Sequence, residues 1–163
     1  MSRQVFSVAA MAILALALDQ VTKWFVLSEI MQPPRVIPVT DFFNLTLGFN
    51  TGVSFGLLGE ILRDYPYVLA AFTDAVVVML FIWALWTQHP WERNGLALIC
   101  GGALGNTVDR WRQGAVTDFL DFHWLDWHWP TFNVADVLIF AGVACVLLGA
   151  VSGRKSDQPA EKS

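Results

Sequence analysis

Two acidic residues bracket the most unusual stretch of this sequence, VTDFLDFHWLDWHWPTFNVAD, which runs from Val116 to Asp136. Asp118 lies in GAVTDF, and Asp136 lies eighteen residues later in FNVAD, just as a further apolar run begins. Two carboxylates held close together share one proton, so one is charged and can take a proton from water while the other is neutral and can give one up. That division of labour suits hydrolysis by an activated water. Asn133 is spaced to cap the helix that follows, with Asp136 in its first turn. Capping and a favourable helix dipole account for both residues without any chemistry, yet the same dipole keeps a carboxylate ionised, which is useful in a base. A chain segment returning from Asp118 could bring the two acids together.

Other polar residues stand where apolar ones are expected, and an ionisable group near the centre of a bilayer costs roughly 3 kcal/mol or more, so each requires a partner or a task. DQVTK sets Asp19 and Lys23 four residues apart, on one helix face and within salt-bridge reach. An internal ion pair that lowers its own burial cost and a brace for a nearby site both fit. In GGALGNTVDR, Gly101 and Gly105 have the small-xxx-small spacing that lets membrane helices approach closely. Asn106, Asp109 and Arg110 follow at i, i+3 and i+4, so a continuing helix presents all three on one side. Helix packing with an interfacial Asp109–Arg110 pair explains these last two better than direct catalysis. Asp74 is a single acid with no local partner, and Cys100 and Cys145 sit in apolar runs as packing residues.

The elements that must position these groups belong to a membrane. Of 163 residues, 55% are apolar and only 15% are charged, too greasy for an ordinary soluble domain. Four runs approach the roughly 20 residues a helix needs to cross a bilayer: about 5–27, 65–86, 95–112 and 134–151. The first resembles a cleaved signal at its start, but the apolar character resumes in WFVL after Lys23 and makes it long enough to span. Four spans put both termini on one side. Arg3, Arg93, Arg154, Lys155 and Lys162 then face Arg35, Arg63 and Arg112, which places the termini in the cytoplasm and the two longer loops outside. Residues 1–153 read as one integral-membrane domain and 154–163 as a disordered cytoplasmic tail. No basic face suggests nucleic-acid binding.

The first outer loop opens with QPPRVIPVT, which excludes a helix. From Phe43 to Asn50, apolar and polar residues alternate as a half-exposed strand requires, and Leu58 to Tyr65 has the spacing of a short amphipathic helix lying on the membrane surface. The tryptophans and histidines of LDFHWLDWHW read as a loop whose rings rest in the headgroup layer.

At these residues the sequence resembles the lipoprotein signal peptidases (signal peptidase II), bacterial membrane aspartyl proteases. DQVTK, NTGVSFG, GGALGNTVDR, GAVTDF and FNVAD match in order and at the expected separations, touching the first, third and fourth runs and both outer loops. The resemblance implies an all-α membrane fold of four transmembrane helices with a small extracytoplasmic sheet and a surface helix. It implies that Asp118 and Asp136 are the catalytic pair, and that Asn50, Gly52 and Phe55 lie near the substrate. Asn106, Asp109, Arg110 and Asn133 would surround or brace the pair, with Asp19 and Lys23 supplying the first-helix motif. Val53 and Ser54 stand where many members have two alanines.

The implied substrate is a prolipoprotein, cut before a cysteine that carries diacylglycerol, with membrane lipid around the site and the enzyme a monomer. No metal, cofactor or covalent intermediate is required. Two other readings compete. Asp118, Asp121, His123, Asp126 and His128 offer metal ligands at close spacing, though without a helical HExxH-like pair. Asp19, Lys23, Asp74 and Asp109 could line an ion path, but most of the polar groups cluster toward the predicted outer face rather than through the bilayer depth.

Overall fold

The computed structural model describes residues 2–52 and 65–156. Helix α1 (Ser2–Phe25) continues into a π-helical turn, Val26–Ile30, and stops where Pro33 and Pro34 cannot extend it. Strands β1 (Ile37–Thr40) and β2 (Phe43–Asn50) follow. Helices α2 (Pro66–Trp86) and α3 (Pro90–Gln113) each begin with proline, whose missing N–H costs nothing in a first turn. At the end of α3, Gly114 adopts φ of 75°, and its N–H bonds to the Arg110 carbonyl. That left-handed stop turns the chain into β3 (Val116–Trp124). A tight hairpin leads to β4 (Trp127–His128), and α4 spans Val134–Ser156.

Three helical segments are long and apolar enough to cross a membrane: Arg3–Ile30, Pro66–Trp86 and Val134–Ser152. The fourth expected span, 95–112, lies within α3, but α3 falls short of that standard among the described residues. It carries Glu92, Arg93, Asp109, Arg110 and Arg112 along with Asn106. The physical reason is its position. The other three helices all pack on α3, burying Leu96, Ala97, Cys100, Asn106 and Asp109, so much of its length is solvated by protein rather than lipid. Its glycines allow the approach. A methyl group at Gly101 would collide with Ala12 and Ala15 of α1, one at Gly105 with the Asp19 carboxylate, and one at Gly102 with the Ala135 carbonyl of α4. The small-residue spacing therefore serves two different neighbours. Outward-facing Phe6, Leu14, Phe72 and Phe140 are exposed, as lipid-facing residues must be.

The sheet has the order β1-β2-β3-β4, every pair antiparallel. The strand expected over Phe43–Asn50 is present with those boundaries. Gly48 stands opposite Asp118 and Asn50 opposite Val116, with a bulge between Leu45 and Gly48. Phe119 of β3 packs with Val26 and Met31 in one buried cluster, joined by Leu47 of β2 and Val134. Two expectations are corrected. LDFHWLDWHW is a strand and hairpin rather than a loop, and α4 runs on through Ser156, so the segment from residue 154 begins as helix. The surface helix expected over Leu58 to Tyr65 falls outside the described residues except at Tyr65, as do Val53, Ser54 and Phe55.

Candidate active site

The site forms where the start of α4 meets strand β3. Asn133 caps α4: its Oδ1 accepts the Asp136 N–H at 3.1 Å, while Asp136 Oδ2 accepts the Asn133 N–H at 3.2 Å. This reciprocal box satisfies two backbone donors that a helix start otherwise leaves unpaired, and it fixes the Asp136 carboxylate at the positive end of the helix. The same Asn133 side chain donates to Asp118 Oδ1 at 2.6 Å. The two acids flagged at either end of the aromatic stretch are thus linked through one fully buried amide.

Asp118 is 2% exposed, and the Asn50 side chain at the end of β2 lies close enough to favour its charged form. Asn50 Oδ1 also accepts the Gly52 N–H at 3.1 Å, so the outer-loop residues Asn50 and Gly52 shape the turn beside the carboxylate. Burial, followed by the nearby Asp136 charge, pushes the Asp118 carboxyl up to about 6, against the pull of its hydrogen bonds.

Behind the pair lies a second polar layer. Lys23 Nζ contacts Asp19 Oδ2 at 2.8 Å, Asp109 Oδ2 at 2.9 Å and Asn106 Oδ1 at 3.0 Å. The i, i+4 pair expected within α1 is present, but Asp109 pairs across helices with Lys23. No Asp109–Arg110 ion pair occurs among the described residues, because α1 crosses α3 at Gly105 and presents Lys23 first. Asp109 also receives the Thr117 N–H at 3.0 Å, tying the start of β3 to α3. Asp19 Oδ1 receives the Ala135 N–H at 2.9 Å, and Asn106 Nδ2 donates to Asp136 Oδ1 at 2.9 Å. Arg110 directs its positive charge at Asp118, Asp136 and Asp109, and its Nε is buried without a partner among the described residues.

Sequence reasoning missed Gln20, whose amide reaches Asp109 Oδ1, the Gly105 carbonyl and Asp19 Oδ2 at 3.0 to 3.2 Å. Its signal was there to find: a polar residue beside Asp19 in an otherwise apolar run. Asp74 finds a partner in Trp111, whose Nε1–H donates at 3.0 Å. Asp121 accepts from Asn44 at 3.0 Å and lies 2.8 Å from His128 Nδ1. Burial alone would raise this carboxyl, but His128 and Asn44 together hold it below its ordinary value. Among the described residues no three His, Cys, Asp or Glu side chains converge as a metal ion would require.

Apolar helices of membrane-crossing length, with a small sheet delivering a second carboxylate to the start of one of them, define an integral-membrane enzyme. Residues 11–152 match the family described as Signal peptidase (SPase) II, and the chain belongs to that family. It is 40% identical over 147 residues to the lipoprotein signal peptidase of Rhodopseudomonas palustris, covering 87% of this chain and 90% of that one. It is 37% identical to the lipoprotein signal peptidase of Serratia marcescens, covering 89% and 85% of the two chains. Two solved bacterial membrane enzymes share the fold. One has a TM-score of 0.77 at 24% identity, over 96% of this chain and 94% of that one. The other has a TM-score of 0.71 at 25% identity, over 89% and 92%.

Proposed function

We propose that this protein is a membrane aspartic endopeptidase that removes signal peptides from lipoprotein precursors, cutting before the diacylglyceryl-modified cysteine. Family membership supports the substrate class. The observation that carries the mechanism is the Asn133 side chain and backbone joining Asp118 to Asp136. In this reading one aspartate removes a proton from water as the oxygen attacks the scissile carbonyl, and the other protonates the departing amine. Asn50, Gly52, Phe55 and Arg110 orient the peptide or stabilise the developing oxyanion, while Asp19, Lys23, Asn106 and Asp109 brace the pair. No metal or cofactor takes part.

The enzyme works as a monomer in the bacterial cytoplasmic membrane with both termini inside and the pair near the outer leaflet, consistent with the lysine and arginine distribution. Helix α3 serves as the fourth span, its charged end held at the outer interface. The lipid of the substrate adds binding energy in the surrounding bilayer, so an unlipidated precursor is cut poorly. The test is to incubate purified wild-type, Asp118→Asn and Asp136→Asn proteins with a diacylglyceryl-modified precursor in micelles and to sequence the new N-terminus. Wild type alone should expose the lipidated cysteine; wild-type turnover by either variant overturns the assignment.

A further inference from the structure

A cavity of about 200 Å³ lies between the end of α1, the last turn of α3 and the start of β3, and neither Asp118 nor Asp136 lines it. Its polar lining divides into groups already engaged and groups left free. Lys23 directs its three donors at Asp19, Asp109 and Asn106. The Asp109 carboxylate takes Gln20 on one oxygen, and Lys23 with the Thr117 N–H on the other. The Gln113 amide donates to the Ala115 carbonyl and to Thr117 Oγ1. Two groups remain. Ser28 Oγ is buried with no hydrogen-bond partner, and Arg112 forms no ion pair, among the described residues. A buried hydroxyl left unpaired is costly, and an acceptor that also carries negative charge satisfies both groups at once. The dipole of α3 favours a cation in its last turn, which accounts for Arg112 but not for the room beside it or for Ser28. Ser28 stands in the π-helical turn, where the Met31 N–H reaches back to the Val26 carbonyl at 2.9 Å, and such turns are rare and frequent at functional sites.

The surroundings of the cavity say which anion suits it. Trp24 also lines it and is 63% exposed, and Val21 and Phe25, at i−3 and i+1 from Trp24, are exposed as well. All three belong to the last turns of a helical segment of membrane-crossing length, so that surface meets acyl chains. A tryptophan and an arginine beside it belong at headgroup depth. We propose that this cavity binds the phosphodiester of a membrane phospholipid, with Arg112 and the Ser28 hydroxyl on the phosphate oxygens and the acyl chains along Val21, Trp24 and Phe25. The site stands apart from the catalytic pair and does not depend on which peptide the protein cuts. Because the lipid touches α1 and α3 together, its binding stabilises the fold.

The test titrates purified protein in uncharged detergent with three probes: dioctanoyl phosphatidylglycerol, dioctanoylglycerol, which has the same chains without phosphate, and inorganic phosphate. Melting temperature and native mass spectrometry are the readouts. Phosphatidylglycerol should form a one-to-one complex and raise the melting temperature. Arg112→Gln should weaken that binding about tenfold, and Arg112→Lys, which keeps the charge, by less. Ser28→Ala should weaken it without lowering the melting temperature of the lipid-free protein, because the hydroxyl has no partner to lose. Dioctanoylglycerol binding as tightly as phosphatidylglycerol, or Arg112→Gln binding like wild type, overturns the phosphate site. Inorganic phosphate giving the full stabilisation by itself overturns the lipid as its source. A lipid-free Ser28→Ala protein that melts early would assign the hydroxyl a structural role and overturn its place in the site.

Discussion

Asp19 on the first helix accepts a hydrogen bond at 2.9 Å from the backbone N–H of Ala135, in the first turn of the last helix. One residue further along is Asp136, so a contact between distant ends of the chain sets the height and rotation of a proposed catalytic group. The same carboxylate holds Lys23, which makes Asp19 costly to lose.

Asp19→Ala should therefore destabilise the protein by about 3 kcal/mol or more, because it leaves a buried ammonium short of a partner and a helix N–H unpaired. Asp19→Asn keeps an acceptor for Ala135 and should fall between. Thermal unfolding in detergent, followed beside cleavage rate, checks the order, which would fail if the alanine variant melted like wild type.

The Asp118 carboxyl is raised from its ordinary 3.8 to about 6, so its contribution to stability is fully present below pH 4 and is lost as the pH rises through 6. Asp118→Asn removes that loss. The variant should match wild type near pH 4 and exceed it by about 3 kcal/mol at pH 8, while cleaving nothing. Unfolding curves at the two pH values decide it, and a variant weaker than wild type at pH 8 would contradict the burial argument.

Gly105 has the Asp19 carboxylate where its own side chain would stand. Gly105→Ala should push α1 and α3 apart, cost about 1–3 kcal/mol and displace Lys23 from Asn106. Cross-linking between cysteines introduced on the two helices would report the separation; an unaltered yield with unaltered stability would show that the crossing tolerates a methyl.

The hairpin tip exposes Trp124 at 74% and Leu125 at 81%, joined by Trp127 and Trp129. Rings of this kind favour the headgroup region. Trp124→Ser with Leu125→Ser should raise KM for a lipidated precursor in bilayers severalfold while leaving kcat and melting temperature alone. Quenching of the wild-type tryptophans by brominated lipid should be strong, and no quenching would rule out contact with the bilayer.

Incubation with a strong chelator should leave cleavage unchanged, as expected for water activated by carboxylates rather than by zinc. Activity abolished by the chelator and restored by a divalent ion would revive the metal reading of Asp118, Asp121, His123, Asp126 and His128.

The sequence by itself determined the membrane character, because apolar length is a local property, and it marked strand β2, whose apolar and polar residue types alternate along the chain even though Asn44 is buried and Phe49 exposed in the fold. It also marked both carboxylates and the cap of α4, since a cap depends on neighbours three residues apart. Strand β3 was not legible. Val116 to Phe119 are all buried, and a strand covered on both faces shows no alternation to read. Only the tertiary structure decided that Lys23 joins Asp109, that Gln20 belongs to the cluster and that Asn133 touches both acids. Those choices depend on where helices cross and strands pair, and close approach at Gly101, Gly102 and Gly105 is what brings polar groups remote in sequence within hydrogen-bonding distance.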